Sequence, residues 1–178
     1  MVGDVIELMD HLKIQKAHIG GYSMGGATTA GLLKAAPERF ITASVMGIGI
    51  KETPEWEGKT PKDPAPAAAP AAPPRPAAVV SPQAAAPRTD LTLNTAGTPR
   101  GAPAGAPAAN QDVDLTKIKF PVLALNGSED RPLAKTSRMW RELQDFTYVV
   151  VPGRHHMNAS GDPIFGEALA RFISSHNP

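Results

Sequence analysis

The sequence predicts an α/β fold in which a parallel sheet of about four strands is flanked by helices. Short apolar stretches with strand character alternate with stretches of helical periodicity, and this alternation is typical of parallel sheets with crossover helices. An Ala/Pro-rich stretch interrupts the pattern in the middle of the 178 residues. The change in composition divides the chain into a first part (1–52), a low-complexity linker (53–112) and a second part (113–178).

The first part alternates helix, strand, helix and strand. Residues 4–12 carry apolar side chains at helical spacing, and Asp4 is placed to cap that helix. A strand over 17–20 follows, and then a helix from about residue 24 to residue 36, which a proline ends. Residues 40–50 are mostly apolar, which suits a strand that is covered on both faces.

The linker differs in composition from both flanking parts. Twelve of the chain's 19 prolines lie between Pro61 and Pro107, among many alanines. Ala-Pro repeats cannot propagate a helix and offer no large apolar side chains to a core, so we expect a disordered or polyproline-like segment exposed to solvent. A functional alternative stays open, because Pro73-Pro74-Arg75-Pro76 is a weak match to the ligands of SH3-type domains.

The second part repeats the alternation of strand and helix. A strand over 120–125 ends at polar residues, and a helix is predicted over 133–143. The apolar stretch 146–151 predicts a further strand, which a Pro-Gly pair closes. Asp162 followed by a proline is a favourable start for the last helix, because the two residues suit the cap and the first turn.

Composition and charge exclude several classes of function. The formal net charge of +1 gives no electrostatic reason to bind nucleic acid or an anionic membrane. The absence of cysteine excludes disulfides and thiolate catalysis, and no set of histidines and carboxylates has the spacing of metal ligands, so no metal or cofactor is predicted. No apolar run is long enough to span a bilayer and the first residues lack a signal-peptide pattern, so a cytoplasmic location is expected.

The stretch 18–26, His-Ile-Gly-Gly-Tyr-Ser-Met-Gly-Gly, carries the strongest functional signal. A strand enters it, Gly21-x-Ser23-x-Gly25 lies at its centre and a helix leaves it, which is the context of a nucleophile elbow. Such a turn strains the serine backbone, and we expect that only glycine fits two residues before and two residues after it. The helix start then places free N–H groups, first that of Met24, beside the serine hydroxyl. The alternative, a glycine-rich phosphate loop, lacks the spacing of the known phosphate-binding motifs.

This stretch resembles the elbow signature of the alpha/beta hydrolase family, in which a further glycine follows as it does here. In the second part, Gly127-x-x-Asp130 after a strand resembles that family's acid loop, and residues 151–157 (Val-Pro-Gly-Arg-His-His-Met) resemble its histidine loop. The chain order Ser, Asp, His is also the family's order. The resemblance implies a serine hydrolase that acts on an ester or a similar small acyl substrate, with Ser23, Asp130 and His156 as catalytic residues and the N–H of Met24 in the oxyanion hole.

Two of these assignments have competing neighbours. Glu129 could be the acid in place of Asp130, which could instead cap the following helix. His155 competes with His156 for the role of base. The family pattern places a small or apolar residue directly after the histidine, and only His156 is followed by one, Met157. The sequence therefore favours Asp130 and His156.

The resemblance covers the family's fold only from the elbow onward. The family's sheet has eight strands, of which this chain would supply the fifth to the eighth, with the linker in place of the cap. Because the second oxyanion donor comes from a loop after the third strand, Met24 would be the one donor in this sequence, and slow turnover is expected. The strand over 17–20 would have an uncovered apolar edge, through which self-association is expected. The competing hypothesis is a non-catalytic or partner-dependent half-fold.

Overall fold

The computed structural model describes residues 1–63 and 113–177, which belong to one compact α/β unit. The helices and strands in chain order are α1 (Val2–His11), β1 (Ala17–Tyr22), α2 (Met24–Ala35), β2 (Phe40–Met46), β3 (Val122–Gly127), α3 (Pro132–Glu142), β4 (Phe146–Val151) and α4 (Pro163–Ser175). Residues 64–112, which hold most of the predicted linker and the Pro73-Pro74-Arg75-Pro76 motif, lie outside the described residues.

The described strands form a parallel sheet in the order β1-β2-β3-β4, which confirms the predicted fold class. Near the carboxyl ends, Met46 of β2 lies opposite both Tyr22 of β1 and Leu125 of β3, and Gly127 of β3 lies opposite Val151 of β4. In a parallel sheet the carboxyl ends of the strands share one edge. The segments that follow β1, β3 and β4 therefore leave the sheet at the same edge.

Two strands differ from their predicted bounds. β1 continues past residue 20 to Tyr22, because the last residues of β1 still pair with β2. β2 ends at Met46 instead of reaching residue 50. The reason is Gly47, whose φ of +68° leaves the extended region and whose N–H donates a hydrogen bond to the carbonyl of Leu125 (2.9 Å).

One of the two predicted helix caps is present, and the other is absent. Asp162 caps α4 as predicted, since its carboxylate accepts the N–H of Ile164 (3.0 Å). Asp4 is not a cap, because α1 already begins at Val2, and its carboxylate instead pairs with the N-terminal amine at 2.8 Å. None of the helices found in residues 1–63 and 113–177 is both long and apolar enough to cross a bilayer.

The core lies on both faces of the sheet, and every residue of β3 is buried. On one face Val122 packs in a cluster with Met139 of α3, and on the other face Leu123 and Leu125 pack with Phe165 of α4. Full burial of a leucine side chain contributes about 2 kcal/mol to the free energy of unfolding. The buried central strand thus anchors the loop that follows it.

The chain after β2 stays folded beyond residue 52, where the sequence analysis placed the start of the linker. Arg141 of α3 donates to the carboxylate of Glu52 (2.7 Å), and its guanidinium lies 4.2 Å from the ring centroid of Trp56. Asp63 accepts hydrogen bonds from two backbone N–H groups in the first turn of α3 (2.7 and 3.0 Å). Charged and aromatic side chains, which the Ala/Pro repeats lack, make these contacts.

A buried arginine joins the two parts of the chain. Arg138 of α3 is 6% exposed, and its guanidinium donates to the carbonyls of Lys51 and Val113, each at 2.8 Å. The carboxylate of Glu142 compensates its charge at 3.0 Å. A buried cation is tolerated when it is paired and hydrogen-bonded in this way. Arg138 therefore holds the segment after β2 and the segment before β3 against the same helix.

Candidate active site

Ser23 lies in a strained turn between β1 and α2. Its φ of 54° and ψ of −112° lie in a region that L-residues rarely adopt. The backbone of Ser23 is fixed on both sides, because its N–H donates to the carbonyl of Met46 (2.9 Å) and its carbonyl accepts from Ala27 (3.0 Å). This is the backbone geometry that the predicted elbow requires.

Two glycines make the turn sterically feasible, and one of them is not the glycine that was expected. A Cβ on Gly21 would lie 2.2 Å from the carbonyl carbon of Gly25, so no side chain fits there. A Cβ on Gly26 would lie 2.6 Å from the carbonyl oxygen of Met46. A Cβ on Gly25 would meet no atom within 4 Å, so the expectation that only glycine fits two residues after Ser23 is wrong.

The acid loop follows the buried strand β3. The N–H of Asp130 donates back to the carbonyl of Gly127 (3.0 Å), which closes a tight turn. Arg131, with φ 50°, is the residue at the N-cap of α3. Because Arg131 occupies that position and Asp63 binds the first-turn N–H groups, the carboxylate of Asp130 does not cap α3.

The acid loop and the histidine loop are hydrogen-bonded to each other. Ser128 donates its N–H to the carbonyl of Val151 (3.0 Å), and Glu129 donates its N–H to the carbonyl of Arg154 (2.9 Å). In the reverse direction, the N–H of Gly153 donates to the hydroxyl of Ser128 (2.8 Å). These bonds fix the spacing between the two loops and hence between the side chains that they carry.

The three side chains that the sequence favoured lie in one hydrogen-bonded row. His156 Nε2 lies 2.8 Å from Ser23 Oγ, and His156 Nδ1 lies 3.0 Å from Asp130 Oδ2. The tautomer with its proton on Nδ1 satisfies both contacts, since Nδ1–H donates to the carboxylate and Nε2 accepts from the hydroxyl. The carboxylate is 11% exposed and the imidazole 35% exposed, so solvent still reaches the site.

The two competing residues, His155 and Glu129, make contacts outside this hydrogen-bonded row. The Nδ1 atom of His155 accepts the N–H of Met157 (3.1 Å), so that ring turns back onto its own loop. The backbone N–H of Glu129 is bonded to the histidine loop, whereas Asp130 is the carboxylate beside His156. The structure thus brings Ser23, Asp130 and His156 together and leaves both competitors out of the row.

Sequence reasoning missed two residues at the site. Tyr22 donates its hydroxyl to the carbonyl of His156 (2.6 Å), and its ring stacks on the imidazole with centroids 5.2 Å apart. Burial, and then the charge of Asp130, raise the pKa of Tyr22. Lys135 of α3 forms an ion pair with Asp130 Oδ1. Adjacency to Ser23 is a signal for Tyr22, but the sequence carries no comparable signal for Lys135.

The start of α2 supplies hydrogen-bond donors beside the serine. Met24 follows Ser23 directly, and an N–H in the first turn of a helix has no acceptor within that helix. The positive end of the helix dipole lies at the same place and favours negative charge there. Within residues 1–63 and 113–177, no three His, Cys, Asp or Glu side chains are grouped so that they could hold a metal ion.

Several solved structures share this fold. Proline iminopeptidase from Mycobacterium smegmatis is 12% identical and aligns over 98% of this chain and 70% of its own, with a TM-score of 0.60. Carboxylesterase CesB from Bacillus subtilis is 16% identical over 97% of this chain and 63% of its own, with a TM-score of 0.57. The meta-cleavage product hydrolase of Pseudomonas fluorescens IP01 is 15% identical over 99% and 71%, with a TM-score of 0.62. At these identities the similarity establishes the fold and not the substrate.

A curated protein matches a short stretch at higher identity. The dihydrolipoyllysine-residue acetyltransferase component of the acetoin cleaving system of Pseudomonas putida is 45% identical over 48 residues. That match spans 25% of this chain and 13% of the relative's length. The sequence profile of the alpha/beta hydrolase family matches residues 2–167, which is most of the chain. On the strength of that match, together with the parallel sheet and its structural neighbours, the chain belongs to the alpha/beta hydrolase family.

Proposed function

We propose that this chain is a serine hydrolase that cleaves an ester or a similar small acyl substrate. The observation that carries the proposal is the unbroken row from Ser23 Oγ to His156 Nε2 (2.8 Å) and from His156 Nδ1 to Asp130 Oδ2 (3.0 Å). These are the distances at which a base can take a proton from a hydroxyl and an acid can orient the base. Membership in a family of hydrolases supports the same reaction class.

In the first half of the proposed reaction, Ser23 becomes acylated. Its Oγ attacks the substrate carbonyl carbon while its proton passes to His156 Nε2, and the carbonyl oxygen acquires a negative charge. The N–H of Met24, at the positive end of α2, donates a hydrogen bond to that oxygen. When the tetrahedral intermediate collapses, the proton on His156 passes to the departing alcohol or amine, and the acyl group stays on Ser23.

In the second half, water replaces the leaving group. His156 takes a proton from the water molecule as its oxygen attacks the acyl carbon, and the proton then returns to Ser23 Oγ when the carboxylic acid leaves. Asp130 holds the imidazole in the required tautomer and stabilises its charged form in both halves. The proposed cycle uses side chains and backbone of this chain and needs no cofactor.

The chemistry of the site and the structural neighbours together support the proposed class of substrate. The related structures carry the names of a carboxylesterase and a proline iminopeptidase, each of which points to an acyl substrate. Another neighbour is a meta-cleavage product hydrolase, so substrates differ within this fold. We therefore propose the acyl class and test it with an acyl-type probe instead of a single substrate.

A fluorophosphonate probe tests the proposal, because it reacts with activated serine hydroxyls. Peptide mapping of the labelled wild type is expected to find the adduct on Ser23, and Ser23→Ala is expected to abolish labelling. Hydrolysis of a short-chain p-nitrophenyl ester is expected to be lost in the same variant. Labelling that persists in Ser23→Ala would refute the nucleophile, and failure of the folded wild type to label would refute the hydrolase.

A second candidate is that the chain works together with a partner, and the position of β1 favours it. β1 pairs with β2 alone among the described strands, and its residues are mostly half-buried. A free strand edge can pair with another chain. We propose self-association through this edge, which sedimentation would detect as concentration-dependent mass. A monomer that persists at high concentration would contradict it.

A further inference from the structure

Asp130 has a partner on each of its carboxylate oxygens. Oδ2 lies 3.0 Å from His156 Nδ1, and Oδ1 pairs with the Nζ of Lys135. The same Nζ donates a hydrogen bond to the carbonyl of Gly47 (3.0 Å), which lies directly after β2. The ammonium of Lys135 therefore connects the acid loop, helix α3 and the segment that leaves the neighbouring strand.

The position of Lys135 is fixed by close packing of the backbone. A Cβ on Gly49 would lie 2.6 Å from the Cα of Lys135, so the chain after β2 passes directly against α3 at this residue. The side chain of Lys135 is 21% exposed and that of Asp130 is 11% exposed. An ion pair between side chains this sheltered is less screened by solvent than one on the open surface.

We propose that Lys135 is a positioning residue that holds Asp130 in place and sets the pH at which His156 becomes an active base. The inference rests on the proposed function. When His156 takes the proton of Ser23 it becomes positively charged, and Asp130 stabilises that charge. The positive charge of Lys135 opposes it, so the imidazole loses its proton at a lower pH than it would beside an unpaired carboxylate.

Within the part of the chain that the structure describes, the titratable groups around Asp130 and His156 come from three elements. His156 belongs to the histidine loop, Lys135 to α3 and Tyr22 to β1, and the pKa of Tyr22 is raised, so it stays neutral near pH 7. Among these groups, Lys135 is the one that pairs with Asp130 Oδ1. Its replacement by a neutral side chain of similar length therefore changes one charge next to the proposed acid.

The test compares Lys135→Met with Lys117→Met. Lys117 also pairs with an aspartate, Asp114 (3.1 Å), but its side chain is 78% exposed and lies outside the site. The rate of fluorophosphonate labelling is measured against pH for wild type and both variants. In Lys135→Met we expect the midpoint of the acidic limb to rise by about half a pH unit to one unit, since one nearby cation is lost. The plateau rate is expected to fall roughly three- to tenfold as Asp130 loses an anchor.

Lys135→Arg separates the charge from the packing. The arginine keeps the cation, so its midpoint is expected to stay near that of the wild type even where its plateau rate falls. Lys117→Met is expected to match the wild type in both quantities. A Lys135→Met protein that stays folded by circular dichroism and keeps the wild-type midpoint would overturn the inference.

Nuclear magnetic resonance gives the same midpoint without catalysis. The ring signals of His156, assigned with a His156→Gln variant, are followed against pH in wild type and Lys135→Met. A higher midpoint in Lys135→Met would support the role of Lys135 even in a protein that the probe does not label. In that case the proposed function fails and the inference about charge stands, so the two failures are distinguishable. An unchanged midpoint would refute the inference in either case.

Discussion

The elbow that carries Ser23 and the paired loops that carry Asp130 and His156 are held by different kinds of contact. The elbow depends mostly on close approach between neighbouring residues, as the 2.2 Å distance from a Gly21 Cβ to Gly25 shows, with further contacts to Met46 of β2. The two loops depend on hydrogen bonds between residues about 25 positions apart, such as Gly153 to Ser128. Mostly local contacts therefore shape one side of the site, and hydrogen bonds between distant loops shape the other.

Gly127→Ala is expected to have the largest effect, because it disrupts the contact between the paired loops. A Cβ at this position would lie 2.0 Å from the carbonyl oxygen of Arg154. Because that oxygen belongs to the backbone, it cannot move aside without displacing the histidine loop. We expect a loss of about 3 kcal/mol or more in the free energy of unfolding, with labelling of Ser23 abolished. Urea denaturation measures the first quantity, and the fluorophosphonate probe measures the second.

Gly161→Ala is the matched control for that change. A Cβ at Gly161 would meet nothing within 4 Å, so this variant is expected to keep the wild-type stability and labelling. If Gly127→Ala proved as stable as Gly161→Ala, the packing of the acid loop against the histidine loop would be wrong.

Asp130→Asn is expected to affect activity far more than stability. The amide cannot stabilise a positive imidazole and favours the wrong tautomer, so kcat is expected to fall by a factor of about 10³ to 10⁴. Glu129→Gln, one residue earlier, removes a carboxylate that the structure leaves out of the row. Its kcat is expected to stay within a few-fold of the wild type, and equal losses in both variants would leave no reason to prefer Asp130.

Two adjacent glycines test the elbow in the same way. Gly26→Ala places a Cβ 2.6 Å from the carbonyl oxygen of Met46 and is expected to cost about 2 kcal/mol in the free energy of unfolding. Gly25→Ala meets open space in the first turn of α2, where alanine is favoured over glycine by less than the value of about 1 kcal/mol found in a helix interior. Thermal unfolding is therefore expected to rank Gly25→Ala above wild type and Gly26→Ala below it. The reverse ranking would contradict the steric account of the turn.

Asp63→Ala is expected to have the smallest effect. The variant frees two N–H groups in the first turn of α3, and loss of such a cap costs about 1 kcal/mol. Asp63→Asn, which keeps an oxygen acceptor, is expected to recover much of that stability in thermal unfolding. A loss that the asparagine variant fails to reduce would point to a role for the charge itself.

The difference between the two sides of the site explains which features the sequence predicts. The elbow is readable because its glycines, serine and flanking periodicity are contiguous. Asp130 and His156 are predicted from their positions at strand ends and from the resemblance of their loops to the family pattern, which favours them without excluding Glu129 and His155. Lys135 and Tyr22 reach the site through tertiary packing, and the cap role of Asp63 bridges 70 positions along the chain to Leu133. The departure at Gly25 arises because the helix start faces open space there, which the sequence does not show.

The rate of fluorophosphonate labelling in two adjacent histidine variants tests the central claim most directly. His156→Ala removes the side chain that lies 2.8 Å from Ser23 Oγ, whereas His155→Ala removes one that contacts its own loop. We predict that labelling of Ser23 falls at least about 10³-fold in His156→Ala, because the hydroxyl loses its base, and stays near the wild-type rate in His155→Ala. Equal rates in the two variants, with both proteins folded, would contradict the hydrogen-bonded row as the source of reactivity.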